Sequence, residues 1–416
     1  MRWSLNLQIF LGVLGGVLLG LLFSSLGSEA AITQKGLYLS SLVGNVFVDL
    51  LKMILVPLVF TSIAVGIANL QVHQQMHRVW MSTLVFFVLS MAVAIVLGMT
   101  AAQIFSPGKG LTLDLFSSAM HPFNVKSMTF AEFVSDFFHG LFVNPFAALA
   151  QGNVLAIVIF ALFLGVALVM GGERYRNILL LLREGLEIVL RMVDWIMRLA
   201  PLGIMALLTQ LVAKQDLSLL SSLAKFVMVV LGTTLLHGFI MLPLILFVMT
   251  GVSPIKFFRG AREALITAFA TSSSSATLPV TLRCVQQHLH VKADIAGFVV
   301  PLGATVNMDG TALYEASAAL FIANLAGIEL DLAQQFVVFL TAMLAAIGAP
   351  GIPSAGMVTM VMVLQSVGLP AEAIAILLPI DRLLDTFRTM VNVEGDMIGS
   401  LVVQKIVNSA KDKTDN

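Results

Sequence analysis

The chain has 416 residues, of which 58% are hydrophobic and 11% are charged, and its formal net charge is zero. With a mean hydropathy of +0.98, these values exclude an ordinary water-soluble protein, and the neutral balance argues against a nucleic-acid footprint. The single cysteine, Cys284, excludes an intrachain disulfide and Cys-x-x-Cys metal chemistry. Apolar runs long enough to cross a bilayer recur throughout, so the sequence predicts an all-α membrane protein with many spans.

Six apolar stretches in the first part of the chain predict membrane spans. Their approximate ranges are residues 5–27, 38–70, 79–106, 136–170, 177–213 and 219–250. The N-terminal stretch has the charged start of a signal peptide, but its apolar run is long and more spans follow, so we interpret it as the first span. The connection 107–135 is rich in polar residues and predicts an exposed loop.

The fifth stretch carries a charged stripe at helical spacing, formed by Arg183, Glu187, Arg191, Asp194 and Arg198. The stripe could line an ion path. Alternatively, its members pair with one another at i,i+4 along a helix that is partly outside the hydrocarbon. We favour the second interpretation, because unpaired charges inside a bilayer are costly.

The pattern changes after residue 250. Residues 254–288 form two short apolar halves around TSSSSATLP, and residues 332–368 form two more around GAPGIPSAG. Each pair is followed by a span with polar residues in its middle, at 294–327 and 371–408. This arrangement is typical of an internal repeat with broken helices and a midplane binding site. Because each half is too short to cross a bilayer, we expect two re-entrant hairpins.

Basic residues indicate the orientation. They lie on alternate loops, at Arg2, Arg78, Arg174, Arg176, Lys256, Arg259, Arg262, Arg283, Lys292, Lys405, Lys411 and Lys413. The positive-inside bias places these loops and both termini in the cytoplasm. A re-entrant hairpin and two full crossings both return the chain to the side of the membrane from which it started, so the basic residues do not distinguish them. Only the shortness of the halves favours re-entry.

The last span carries a polar face. Its members are Asp381, Asp385, Arg388, Asn392 and Asp396, whose spacing places them on one side of an α-helix, with Glu394 on the opposite side. Ionisable groups in a membrane segment indicate a functional site. Arg388 offers a planar fork for a carboxylate, Asp385 suits an ammonium group, and Asn392 can bond an α-carboxylate. The set fits an acidic amino acid, unless Asp385 and Arg388 simply pair with each other.

The seventh span is interrupted by GATVNMDGT. Gly303 and Thr305 lie where an unwound helix would expose carbonyls, and Asn307 and Asp309 add the hard oxygens that a small cation needs. Asp309 requires a cationic partner at this depth. Glu315 lies on the same span and could carry a proton, or it could be hydrogen-bonded at the edge of the span.

The two hairpin tips also have alternative interpretations. TSSSSATLP offers hydroxyls and amides that would line a cavity, although it could be a plain polar turn. A nucleophilic serine is disfavoured, since the chain has no GxSxG elbow and the sequence places no histidine as its base. The glycines and prolines of GAPGIPSAG forbid a continuous helix, so this tip is a gate or a turn.

Four blocks, TSSSSATLPVT, PLGATVNMDGTALYEA, GIPSAG and DRLLDTFRTMVNVEGD, resemble the signatures of the glutamate transporter family, the dicarboxylate/amino acid:cation symporters. The resemblance covers essentially the whole chain. It implies a homotrimer in the cell membrane, with eight spans and two re-entrant hairpins per protomer arranged as inverted repeats. It also implies an elevator in which residues 79–106 and 214–416 form the transport domain, while residues 1–78 and 107–213, including an extracellular loop, supply the scaffold.

The resemblance also implies roles for individual residues. Substrate would contact Ser272, Ser273, Ser274, Thr311, Ile352, Pro353, Ser354, Ala355, Gly356, Asp385, Arg388, Thr389 and Asn392. Cotransported sodium ions, with no other cofactor, would occupy three sites: Gly303, Asn307, Asn392 and Asp396; backbone near Thr305, Ala346, Ile347 and Ala349; and Asn307, Asp309 and the third span. Glu315 matches the glutamate of proton-coupled members, and we expect Asp381 to orient Arg388.

Two departures from the family pattern bear on these roles. Where the family has one aromatic and two small hydroxyls in the third span, this chain has Phe87, Ser90 and Met91; the Met91 side chain supplies no hard oxygen, which puts the third sodium site in question. The family's second arginine is also missing, because Ser272 and Thr386 stand at its usual positions. Arg382 is a candidate to replace it from a different direction.

The sequence therefore predicts a symporter, not an enzyme, that takes up L-glutamate or L-aspartate with sodium and, as a further candidate, protons. A proton-coupled C4-dicarboxylate transporter is the first alternative, against which Asp385 argues because a dicarboxylate has no ammonium group. An anion-conducting channel and a membrane serine hydrolase are alternatives from other classes.

Overall fold

A computed structural model describes residues 5–27, 30–68, 77–110, 139, 142–151, 153–214, 217–349, 351 and 353–412. Every regular element in these ranges is helical, which confirms the all-α prediction for this part of the chain. Five helical stretches there are long and apolar enough to cross a membrane: Leu7–Leu26, Ala31–Ala68, Arg78–Phe105, Ala156–Met197 and Ser221–Thr250. The count of eight spans stays a prediction.

The first part of the chain forms seven α-helices. They are α1 (Leu5–Leu26), α2 (Ala31–Ala68), α3 (His77–Phe105), α4 (Pro145–Gln151), α5 (Val154–Gly171), α6 (Arg176–Met197) and α7 (Ala200–Lys214). A short 3-10 turn, Gly172–Tyr175, joins α5 to α6. Residues 111–138, which include most of the predicted loop and the start of the predicted fourth span, lie outside the described residues.

One predicted helix is broken. The sequence pattern predicts a single span over 177–213, but α6 ends at Met197 and α7 begins at Ala200. Pro201 lies in the first turn of α7, and its missing N–H and its ring prevent the helix from continuing through it. The five charged residues of the α6 stripe are all exposed in the chain, which favours a solvated face over an enclosed ion path.

The second part contains the remaining helices. They are α8 (Leu217–Leu236), a π-helical turn (His237–Met241), α9 (Leu242–Thr250), α10 (Pro254–Thr271), α11 (Ser274–Arg283), α12 (Ala293–Val306), α13 (Asp309–Leu325), α14 (Leu332–Gly348), α15 (Ala355–Ser366) and α16 (Ile374–Asp412). A second π-helical turn, Cys284–His288, follows α11. The predicted interruptions at TSSSSATLP, GATVNMDGT and GAPGIPSAG are therefore confirmed as the α10–α11, α12–α13 and α14–α15 breaks.

The helices pack in two groups. Helix α1 packs on α7, and α2 packs on α5, α6 and α7, while α16 contacts α3, α8, α9, α10, α12 and α13. The groups meet where α16 contacts α7 and where α2 contacts α14 and α15. Residues 391–400 of α16 are buried on every side, because apolar residues such as Val391 and Met397 fill the faces between the polar ones. This part of the polar stripe is therefore enclosed within the second group.

Candidate functional site

The two hairpin tips touch each other. The Ser273 hydroxyl donates a hydrogen bond to the Gly351 carbonyl at 2.6 Å, and the Ser275 amide donates to the same oxygen at 3.1 Å. A Cβ at position 351 would lie only 2.6 Å from the Ala304 carbonyl oxygen, so a glycine lets the tip lie against α12. The tips close over the break between α12 and α13.

The second tip is also held to α16. The Ser354 amide donates a hydrogen bond to Asp385 Oδ2 at 2.8 Å, and Ser354 has a φ of +59°. Non-glycine residues rarely adopt this left-handed conformation, and where it persists the surrounding structure holds it in place. The tip thus presents its backbone donor directly to the polar face of α16.

Arg388 is the most enclosed cation of this face, with 1% of its surface exposed. Its Nη2 donates to Asp381 Oδ1 at 2.6 Å and to Asp385 Oδ1 at 2.9 Å. Its guanidinium carbon lies 4.1 Å from the centre of the Tyr314 ring, a cation–π distance. Nε and Nη1 have no hydrogen-bond partner among the described residues. These two nitrogens are therefore buried donors without a partner in this part of the chain.

The second tip packs closely against Arg388. A Cβ at Gly356 would lie 3.0 Å from Thr311 Cγ2 and 3.5 Å from Arg388 Nη1. Because residue 356 is a glycine, the backbone of the tip approaches Thr311 and the guanidinium with no side chain of residue 356 between them.

Arg382 approaches the same carboxylates one and a half turns earlier on α16. Its Nη1 lies 3.6 Å from Asp385 Oδ2. At the position where the family has its second arginine, the Thr386 hydroxyl instead donates to the Leu383 carbonyl of its own helix at 2.7 Å. The predicted replacement of that arginine by Arg382 is compatible with this geometry.

The structure brings together the first predicted sodium set. Asn307 Nδ2 donates to the Asn392 carbonyl at 3.2 Å and to Asp396 Oδ1 at 3.0 Å. A Cβ at Gly303 would lie 2.3 Å from Asp396 Oδ1, so α12 approaches α16 closely only because this residue is a glycine. The Asn392 amide oxygen accepts from the Gly310 amide at 2.8 Å. The Asn307 amide thus links the Asn392 carbonyl and the Asp396 carboxylate at the break between α12 and α13.

The second predicted sodium set lies where α12 packs against the end of α14. The Ala346 carbonyl accepts a hydrogen bond from the Ala349 amide at 3.2 Å, and the last carbonyls of a helix lack partners within it. The Thr305 side chain is exposed and its hydroxyl donates to Leu302 at 3.0 Å. The oxygens that this set offers to a sodium ion are thus backbone carbonyls, including that of Ile347.

Glu315 lies on the same side of the second tip as Nη1 of Arg388. Its Oε1 accepts a hydrogen bond from the Thr359 hydroxyl at 2.5 Å, and a Cβ at Gly356 would be 3.8 Å from the same oxygen. Oε2 has no partner in the described part of the chain. Glu315 is therefore a fully buried carboxyl group with one free oxygen, consistent with the predicted position inside the span.

The remaining predicted contacts surround this centre. Ser272, Ser274, Thr311, Ala355 and Thr389 are all buried, and no partner for the Ser272 hydroxyl is found among the described residues. Pro353 is half-buried. Ile352 lies outside the described residues.

Sequence reasoning missed three contributors. His237 Nε2 lies 3.0 Å from Asp309 Oδ2, Tyr314 stacks on Arg388, and Glu394, on the opposite side of α16 from the polar stripe, is also buried. A histidine in the middle of a predicted span was a visible signal for the first. The other two depend on which helices pack together, which the spacing of residues along one helix does not reveal.

Discontinuous helices that meet around a buried polar centre define this class of protein as a secondary transporter. The chain belongs to the sodium:dicarboxylate symporter family, whose model matches residues 5–406. The predicted membership of this family is thereby confirmed, and with it sodium-coupled symport in a membrane.

Three relatives illustrate the similarity. An excitatory amino acid transporter of Caenorhabditis elegans is 34% identical over 96% of this chain and 87% of its own length. The neutral amino acid transporter B(0) of Oryctolagus cuniculus is 34% identical over 98% and 82%. Excitatory amino acid transporter 3 of Homo sapiens is 32% identical over 100% and 88%. The names of the relatives thus include both acidic and neutral amino acid substrates.

Proposed function

We propose that this symporter takes up acidic amino acids, L-glutamate or L-aspartate, driven by sodium. The observation that carries the proposal is the pair of buried donor nitrogens of Arg388, Nε and Nη1, which have no partner among the described residues. Their N–H groups can form charge-assisted hydrogen bonds with a carboxylate. A neutral side chain would leave these N–H groups unpaired, and sites built for a hydrogen-bonding group discriminate strongly against analogues that lack it.

The rest of the substrate matches the neighbouring groups. Asp385 already accepts the Ser354 amide and would receive the substrate ammonium. Asn392 Nδ2 lies 3.3 Å from the Thr311 hydroxyl, and both can donate to an α-carboxylate. The two tips, joined at Gly351, would cover the substrate. An acidic amino acid therefore meets a complementary group at each of its three charges.

The wider assembly is part of the same proposal. We infer eight spans, re-entrant hairpins at 254–288 and 332–368, cytoplasmic termini and a homotrimer. The transport domain (79–106 and 214–416) would move as an elevator against the scaffold (1–78 and 107–213). The two packing groups of helices support this division, and the basic loops on alternate sides support the cytoplasmic termini. Sodium would bind at Asp396 with Gly303, Asn307 and Asn392, and at the backbone oxygens near Ala346.

Uptake into proteoliposomes tests the proposal. A sodium gradient should drive accumulation of radiolabelled glutamate, unlabelled aspartate should compete, and succinate and malate should compete poorly because neither has an ammonium group for Asp385. Competition by succinate and malate without competition by glutamate or aspartate would instead identify a C4-dicarboxylate carrier. Uptake that persists unchanged without sodium would remove the cation roles of Asp396 and its neighbours.

We expect Ser273→Ala to retain uptake but to raise the substrate KM. The Ser273 hydroxyl joins the two tips, and a lost hydrogen bond of about 1 kcal/mol corresponds to roughly fivefold weaker closure. Ser275→Ala is the matched control, because residue 275 is exposed and its hydrogen bond to Gly351 comes from the backbone amide, which alanine keeps. Complete loss of turnover with unchanged substrate binding in Ser273→Ala would favour nucleophilic serine chemistry.

We expect Glu315→Gln to lose the proton-driven component of uptake and to keep the sodium-driven one, since an amide cannot carry the proton that a buried carboxyl can. Uptake under separate proton and sodium gradients measures both. Thr359→Val is the control, because it removes the hydrogen bond to Oε1 but leaves the carboxyl group. An unchanged response of Glu315→Gln to a proton gradient would exclude Glu315 as the proton carrier.

A further inference from the structure

The carboxylate of Asp309 is already occupied within the protein. His237 Nε2 lies 3.0 Å from Asp309 Oδ2, and the Ser90 hydroxyl donates to the same oxygen. The His237 and Asp309 side chains are both 0% exposed. An imidazole N–H donates to a carboxylate in either charge state of the ring. One oxygen of Asp309 therefore has two donors from two other helices.

The fold fixes His237 in this position. His237 begins the π-helical turn between α8 and α9, and such turns often occur at functional sites. Gly238, the next residue, lies against α16: a Cβ there would be 2.9 Å from Val391 Cγ2 and 3.1 Å from Glu394 Oε2. The glycine lets the turn approach α16 closely, so the imidazole is held inside the helix bundle.

The surroundings of Asp309 are poor in oxygen ligands. Phe87 and Met91 of α3 are fully buried, but a phenyl ring has no oxygen and a thioether is a soft ligand. Apart from backbone, the oxygens that lack a partner in the described part of this region include Asp309 Oδ1, Asn307 Oδ1 and, at the Gly238 turn, Glu394 Oε1. A hard cation is held by about six oxygens. The residues present do not fit a third sodium ion.

We propose that His237 takes the place of the third sodium ion: it holds Asp309 as a permanent internal partner, and sodium coupling uses only the Asp396 and hairpin-backbone sites. The inference rests on the sodium symport proposed above. It accounts for a carboxylate at the buried first turn of α13 where the third span offers the Ser90 hydroxyl but a phenyl ring at residue 87 and a thioether at residue 91, since the helix N-terminus and the imidazole both stabilise it.

A double-mutant cycle on the purified protein in sodium-free buffer tests the pair. The variants are His237→Gln, Asp309→Asn and their combination, with the thermal unfolding midpoint as the readout. We expect each single change to lower the midpoint by about 5 °C, and the combination to cost little more than either one alone. Additive losses, or a stabilising effect of Asp309→Asn because it removes an unpaired charge, would overturn the proposal.

Sodium titration provides the second arm. The dependence of the midpoint on sodium concentration reports how many ions bind the folded protein. We expect Asp309→Asn to leave that dependence unchanged, although its uptake rate falls. A weaker sodium dependence in Asp309→Asn would show that Asp309 binds sodium and would overturn the proposal. A wild-type protein that fails to accumulate glutamate with sodium contradicts the proposed function instead, so the two failures are distinguishable.

Discussion

Replacing Arg388 with cysteine should reduce kcat/KM for glutamate and aspartate by about 10²- to 10³-fold. Its buried guanidinium is the only cationic group at the centre of the described site with donor nitrogens that lack a partner. Breaking a buried charge pair costs about 3–5 kcal/mol, and the substrate carboxylate would lose its partner. We expect neutral amino acids such as serine to be transported better than by the wild type. Radiolabelled uptake of acidic and neutral amino acids in proteoliposomes measures both effects.

Arg382→Gln is the matched control. It removes a cation from the same helix, but one whose side chain is 17% exposed and lies 3.6 Å from Asp385, so we expect a loss of less than about tenfold. Arg388→Lys keeps the positive charge between Asp381 and Asp385 and loses only the planar fork, which separates substrate recognition from folding. Unchanged substrate preference with altered ionic conductance in Arg388→Cys would favour the anion channel.

Charge balance would explain why the proposed substrate needs a cotransported cation. The charges of Arg382 and Arg388 balance those of Asp381 and Asp385. An acidic amino acid has two carboxylates and one ammonium group, so its binding would add one negative charge. Unbalanced charge at membrane depth is costly. Under the proposed function, sodium at Asp396 or a proton on Glu315 would remove that cost and link binding of the substrate to binding of the ion.

Local features of the sequence predicted much of the site. The spacings of four and three residues placed Asp381, Asp385 and Arg388 on one face, and the structure shows Arg388 in contact with both carboxylates. Glycine and proline clusters predicted the breaks, because such residues cannot continue a helix without cost. Pro201 was the same kind of signal, and the broken helix at α6–α7 shows that it was overlooked.

Contacts between distant helices could not be predicted in this way. The partners Ser273 and Gly351, or His237 and Asp309, are separated by 78 and 72 residues, and no periodicity within one helix encodes which helix lies opposite. Glu394 shows the limit most clearly. Its helical position faces away from the polar stripe, yet α16 is enclosed on all sides there, so both faces are buried.

Asp396→Asn should raise the sodium concentration for half-maximal glutamate uptake by at least about tenfold, and we expect it to weaken thermal stabilisation by sodium in parallel. Asp396 Oδ1 is next to Gly303 and accepts from Asn307, so it is the only charged oxygen of the first sodium set. An amide keeps the shape of the side chain but removes the negative charge that binds a hard cation.

Glu394→Gln is the matched control for this prediction, because Glu394 is on the same helix, two residues away, and is buried to the same 1%. Its carboxyl group faces the turn at Gly238 rather than Gly303. If only burial of a charge mattered, both variants would change the sodium dependence equally, and the assignment of sodium to Asp396 would be wrong. A shift confined to Asp396→Asn, with Glu394→Gln affecting thermal stability alone, shows that the ion binds the face of α16 that α12 covers.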